Sequence, residues 1–217
     1  MESKSAGGID CGGGAAKATK QTIMDRALEL FSAKGYEGVS VSELTEAAGI
    51  TKPTLYYYFK SKEGLFDAVC KLYYEQLNNR ITETAVYNPN PKKYDEDIIV
   101  TLSKVTNAYF SFARKNEAFF RILLSNLSMP SSSAVFKIVE KYHFTQFEVI
   151  DGMFRDMAKA HGNLKGKSKT LTWSFLGTIN SYISLFFTGL AKQNSAGQLN
   201  DKAIKELVHQ FMHGIFA

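Results

Sequence analysis

Two cysteines, four prolines and one tryptophan in 217 residues already narrow what this chain can be. Cys11 stands in a glycine-rich stretch and Cys70 in an apolar helical pattern, which makes neither a disulfide framework nor a zinc-ligand spacing. Thiols of that kind suit a reducing cytoplasm, the expected location. With so few prolines, and glycine clustered near the N-terminus, little interrupts long helices, so an all-α architecture is expected. A phosphate-binding glycine loop is also missing, because Gly12-Gly13-Gly14 follows no strand and has no lysine and hydroxyl in register. Residues 1–16 lack the apolar core of a secretory signal and are expected to form a flexible, Gly-rich arm.

A long uncharged run occurs between Lys169 and Lys192, sufficient in length for a bilayer. Its polar residues argue otherwise. Ser174, Thr178, Ser181, Ser184 and Thr188 recur at helical spacing beside Asn180, and leave Leu171, Phe175, Ile179, Tyr182, Phe186 and Leu190 for another face. The expectation is a helix buried on two sides, with no membrane partner. Its small residues Ser174, Gly177, Ser181 and Ser184 would let a second copy of the helix approach.

What is present is a composition for a packed core, 45% hydrophobic and 22% charged, with a net charge of +5 that tolerates a polyanionic partner without demanding one. Ile23, Ala27, Leu30 and Phe31 form one helical stripe that ends at Gly35, giving a first helix over about 18–34. Ser40 and Glu43 form a capping box for a short second helix carrying Leu44, Ala47 and Ala48 inward and stopping at Gly49. Thr51 is an N-cap for a third helix over 52–58, with Pro53 in its first turn. Ser61 caps a fourth helix reaching about Val86, and Pro89 and Pro91 break the chain after it. Further helices are expected at about 94–115, 117–127, 132–161, 167–192 and 201–216.

Two short helices joined through a glycine turn behind a longer one have the shape of a helix-turn-helix. From Ile50 to Lys62 the chain has three lysines, three tyrosines and no acid. Leu55 and Phe59 can face the core, so Thr54, Tyr56, Tyr57 and Tyr58 spread over the remaining surface, where tyrosines need a cover. DNA supplies one: a phenol donates to phosphate, its ring packs on sugar or a thymine methyl, and Thr54 can meet a base edge. Lys62 falls in the first turn of the fourth helix, where a cation is unfavourable unless an anion such as a phosphate joins it, and Lys60 is near in sequence.

These residues resemble a known family. Thr22 to Val69 is similar to the N-terminal domain of TetR-type transcriptional regulators, through Ala27-x-x-Leu30-Phe31, Gly35-Tyr36, Val41-x-x-Leu44, Ala47-Ala48-Gly49, Thr54-Leu55-Tyr56-Tyr57-Tyr58-Phe59 and Lys60-x-Lys62-Glu63-x-Leu65. The resemblance implies a homodimer on double-stranded DNA with a palindromic operator, each recognition helix in a major groove, and a C-terminal domain that dimerises and binds a small-molecule inducer. It places Ser42, Thr51, Lys52, Pro53, Thr54, Tyr56, Tyr57, Tyr58 and Lys62 at DNA-contact positions. Tyr58 stands where relatives often carry His.

The resulting expectation is a helix-turn-helix domain of three helices over 17–69, joined by a fourth helix to a bundle over 70–217. The chain would be a repressor released by a largely apolar or aromatic inducer. The alternative is a helical-bundle enzyme, or a ligand-binding protein without operator function. Phe112, Phe120, Arg121, His143, Phe147, Trp173 and Asn180 are the candidate ligand contacts, polar groups embedded in a dense aromatic stretch. His209 and His213 have metal-binding spacing, but Gln210 replaces the Glu of a metalloprotease, and no catalytic residue, metal or cofactor is expected.

Overall fold

The computed structural model describes residues 11–90, 92–189 and 198–214, with the side chains of 11–13, 94 and 95 left aside. Among the described residues there are nine α-helices and one 3-10 turn, and no strand. They fall into two compact units that divide between Val69 and Cys70, within the fourth helix.

The first unit contains α1 (Cys11–Lys34), α2 (Val41–Ala48), α3 (Lys52–Phe59) and the opening turns of α4 (Lys62–Thr84). Helix α1 begins at Cys11, so residues 11–16 are helical and not part of a flexible arm. Ala15, Ala16 and Ala18 explain the extension, alanine being the strongest helix former, and they outweigh the glycines before them. The rest of the expected arm, residues 1–10, lies outside the described residues.

The core of this unit gathers Ile23, Ala27 and Phe31 from α1, Leu44 from α2, Leu55 and Phe59 from α3, and Leu65, Phe66 and Val69 from α4. Phe31 meets Phe66 edge-on at 5.2 Å, and Tyr36 closes the cluster at 5.0 Å from Phe66. Helix α2 buries Leu44 and Thr45, whereas Ala47 is exposed and Ala48 only half-buried, contrary to the inward placement expected of both alanines. The reason is length: an eight-residue helix can turn only one narrow stripe inward.

The capping box forms as its spacing requires. Ser40 accepts from the Glu43 N–H, and Glu43 accepts from the Ser40 N–H at 2.8 Å while pairing with Lys34 at 2.6 Å. Glu43 is held at a pKa of about 2 by the Lys34 ammonium first and the Ser40 donors next. At the start of α4 a Cβ on Gly64 would collide with the Phe59 carbonyl, so only glycine lets α4 begin this close behind α3.

The second unit comprises the remainder of α4, then α5 (Tyr94–Lys115), α6 (Glu117–Asn126), α7 (Ala134–Ala160), the 3-10 turn Gly162–Leu164, α8 (Ser168–Thr188) and α9 (Asp201–His213). Helix α7 packs along α8, α5 along α9, and α6 against both α5 and α8. Helix α8 stops at Thr188 because Gly189 turns left-handed, with φ 72°. Leu190, Lys192, Asn194, Ile215 and Phe216, to which the expected helices or breaks extended, lie outside the described residues, as does Pro91. Phe211 of α9 reaches the Phe154 and Phe175 rings at 6.0 and 5.2 Å. Among the described residues, no helix is long and apolar enough to cross a membrane.

One buried carboxylate organises the chain between α4 and α5. Asp97 Oδ2 accepts from the Tyr87 hydroxyl at 2.7 Å and the Asn90 N–H at 2.8 Å, and meets His161 Nε2 at 2.8 Å. Oδ1 accepts from the Ile98 N–H. Desolvation pushes the Asp97 pKa upward, but the Asn90, Tyr87, His161 and Ile98 donors outweigh it and hold the value at about 2.

Candidate nucleic-acid interface and effector cavity

Helix α3 is fixed at both ends by its own sequence. The Thr51 side chain accepts from the Thr54 N–H, and the two threonine hydroxyls lie 2.9 Å apart. Leu55 and Phe59 are buried, which turns the rest of the helix outward. Tyr57 is 75% exposed and Tyr56 43%, too much aromatic surface in water to be there for packing. Tyr58 is half-buried, its ring edge-on to Tyr57 at 5.2 Å. Thr51, Lys52 and Pro53 are exposed around the helix start, Thr54 is half-buried, and Ser42 is exposed in the first turn of α2.

Lys62 opens α4 with its ammonium 4.1 Å from the centre of the Tyr36 ring. That cation–π contact offsets the repulsion from the positive helix end and holds the charge in one place. Sequence spacing gave no hint of Tyr36 as the partner, because the two residues meet only once α1 and α4 have packed. Lys60, between α3 and α4, has φ 68°, the only non-glycine residue with positive φ among the described residues.

The second unit contains a cavity of about 660 Å³ walled by α6, α7 and α8. Leu124, Leu127, Phe136, Phe144 and Leu176 supply apolar surface. Of the expected ligand contacts, His143, Phe147, Trp173 and Asn180 line it. Trp173 is 67% exposed and lies 4.7 Å from Phe147. Gly177, Ser181 and Ser184 line the same cavity.

Phe112, Phe120 and Arg121 do not line it and are withdrawn as ligand contacts. Phe112 and Phe120 are fully buried against Phe119, at 6.2 and 5.8 Å. Arg121 pairs with Glu117 at 2.7 Å and donates to the Phe187 carbonyl, so intrahelical charge pairing claims it.

Two buried polar residues of the lining were not among the expected contacts. Asn126, at the end of α6, and Gln146, in the middle of α7, are 3% and 5% exposed. Their amide nitrogens, Nδ2 and Nε2, are buried without a hydrogen-bond partner. An unpaired buried donor costs about 1–3 kcal/mol. The signal available was Gln146 interrupting the stripe Val139, His143, Phe147 and Ile150.

His143 connects this wall to α4. Its Nε2 lies 3.0 Å from the hydroxyl of Tyr74, which is wholly buried. Tyr142 stacks on Tyr74 at 5.1 Å and Phe119 meets it edge-on at 5.0 Å. Burial lowers the His143 pKa to about 4 and pushes the Tyr74 phenol well above its ordinary value. At neutral pH the imidazole is therefore uncharged.

His209 and His213 are neighbours, with ring centres 4.7 Å apart, but no group of three metal-ligating side chains occurs among the described residues.

Residues 23–69 match the family model for bacterial regulatory proteins of the tetR family. The chain is 35% identical over 80 residues to IcaR of Staphylococcus aureus, the HTH-type negative transcriptional regulator of the biofilm operon icaADBC. That match takes in 37% of this chain and 41% of IcaR, so the chain spans about two fifths of the length of the curated relatives it matches. A Clostridium perfringens protein assigned as a fatty acid metabolism regulator superposes with a TM-score of 0.70 at 26% identity, over 89% of this chain and 98% of that one. FadR from Bacillus subtilis, solved in complex with stearoyl-CoA, gives 0.72 at 20% identity over 90% and 98%. The last likeness is one of fold.

Proposed function

We propose that this chain, whose residues 23–69 match the tetR family model, is a DNA-binding transcriptional repressor of that family, released from its operator when a small molecule fills the α6–α7–α8 cavity. The observation that carries the reading is α3: a capped helix without an acid that leaves Tyr56 and Tyr57 in water while Leu55 and Phe59 anchor it. In this reading residues 17–69 bind DNA and residues 70–217 sense the effector and dimerise. Tyr56, Tyr57, Tyr58, Lys52 and Pro53 cover phosphate and sugar, Thr54 reaches a base edge, and Ser42, Thr51 and Lys62 hold the flanking backbone. The similarity to a negative regulator favours repression.

A homodimer is supported by the exposure of Trp173, Ser174, Gly177, Ser181 and Leu185 along one side of α8, of which Trp173, Gly177 and Ser181 also line the cavity. A second copy on that face would present two recognition helices to successive major grooves, about 34 Å apart, on a palindromic site. Release requires the effector to prefer the form that does not bind DNA, and a tenfold preference is worth about 1.4 kcal/mol. The Tyr74–His143 bond is the route, since Tyr74 belongs to α4 and His143 to the cavity wall.

The purified chain should select a palindromic duplex from a random pool, and Tyr57→Ala should weaken that binding at least about tenfold in a gel-shift titration. Failure of the intact chain to select any sequence would sink the reading.

A further inference from the structure

The cavity contains more information than its size. Its walls are mostly apolar, yet two amide nitrogens, Asn126 Nδ2 and Gln146 Nε2, are buried there with nothing to donate to. Such donors burden the empty protein, and because neither nitrogen has accessible surface, an acceptor oxygen in the cavity relieves them once the side-chain amide turns toward it. Among the described residues, the charged side chain in the lining is Glu140, an anion, and no lysine or arginine lines the space. His143 already shares its Nε2 with Tyr74.

We propose that the cavity selects a neutral, carbonyl-bearing apolar molecule, an ester, thioester or ketone, whose oxygen accepts hydrogen bonds from the side-chain amides of Asn126 and Gln146. The proposal rests on the reading of this cavity as the effector site and adds the chemistry of the effector. A carboxylate would give up its water without a countercharge and face Glu140, whereas a carbonyl satisfies both donors and brings no charge. An ammonium can meet Glu140 but leaves both amide donors unanswered. The apolar body of the ligand rests on Leu124, Phe147 and Leu176.

Trp173 lines the cavity and is the single tryptophan of the chain, so its fluorescence reports occupancy without a label. The test titrates the full chain with methyl decanoate, sodium decanoate and decylamine, all below micelle formation. Methyl decanoate should bind at least about tenfold more tightly than the anion or the amine. Asn126→Leu and Gln146→Met should each weaken ester binding about tenfold, change undecane binding less than about twofold, and leave the melting temperature unchanged or raised, because each removes an unpaired donor.

Equal affinity for ester and carboxylate, tighter binding of the amine, or ester binding unaffected by both substitutions would overturn the proposal. A lowered melting temperature in both variants would also overturn it, since the amides would then be holding the core. Operator release is scored separately. If the ester binds as expected without releasing DNA, the ligand chemistry stands and the regulatory reading fails. If another molecule releases DNA equally from wild type and both variants, the reverse holds.

Discussion

The Tyr74 hydroxyl and His143 Nε2 lie 3.0 Å apart, and they join the helix that begins at Lys62 to the wall of the cavity. If this bond transmits occupancy, Tyr74→Phe should uncouple the two events. DNA affinity should remain within about threefold of wild type, the effector concentration for half-release should rise at least about fivefold, and unfolding stability should fall by about 1 kcal/mol for the lost neutral hydrogen bond. Anisotropy of a labelled operator with and without effector measures the first two, and urea denaturation the third. Unchanged half-release would remove Tyr74 from the coupling route.

His143 makes stability depend on pH in a defined window. Burial lowers its folded pKa to about 4 from an unfolded value of 6.5. The unfolded chain therefore binds the proton first, and stability is lost as pH falls from about 6.5 to 4, at up to about 1.4 kcal/mol per pH unit. Below about 4 the imidazole is protonated in both states and adds no further loss. In chemical denaturation at pH 7.0 and 5.0, His143→Gln should reduce the difference between the two midpoints. An identical difference would mean that another group dominates.

Asp97 acts lower on the scale, with its folded pKa held at about 2 against an ordinary 3.8. Here the contribution is present above about pH 4 and lost as pH falls through 2. At neutral pH, Asp97→Asn keeps the shape but removes the charge shared by Tyr87, Asn90 and His161, and should cost about 3 kcal/mol. Thermal melts would check the loss, and a shift of under 2 °C would show that the network is replaceable by a neutral amide.

At the proposed DNA face, Lys62→Ala should weaken binding to all sequences alike and lower the slope of log affinity against log salt by about one. Thr54→Ala should instead change which duplexes are selected. The Thr54 hydroxyl, 2.9 Å from that of Thr51, must turn away from it to reach a base, so the variant loses readout with little loss of stability. A selected-site profile that matches wild type would count against Thr54 as a base reader.

The sequence was most informative where chemistry is local. Ser40 with Glu43, Thr51 as a cap and Gly49 and Gly35 as stops depend on neighbours three or four residues away, and the observed boundaries of α2, α3 and α4 follow them closely. The start of α1 is less legible, because Gly12, Gly13 and Gly14 argue against a helix that Ala15, Ala16 and Ala18 nonetheless support. Burial on short helices was less readable, as Ala47 shows.

The cavity was half readable for a related reason. An aromatic such as Phe147 or Trp173 looks the same in sequence whether it faces a core or a cavity, and Phe112 and Phe120 prove to face the core. What separates them is the tertiary arrangement of α6, α7 and α8. Asn126 and Gln146 become notable only when the structure shows that nothing nearby answers their donors.

Lys60 places opposite demands on one position. Its φ of 68° with ψ of −40° is a sparsely populated conformation that costs an ordinary side chain about 1–3 kcal/mol and glycine less. Glycine there would relax the junction behind α3 yet remove a positive charge two residues from Lys62. If this face meets a polyanion as proposed, thermostability and grip run in opposite directions at residue 60, and improving the one by substitution weakens the other.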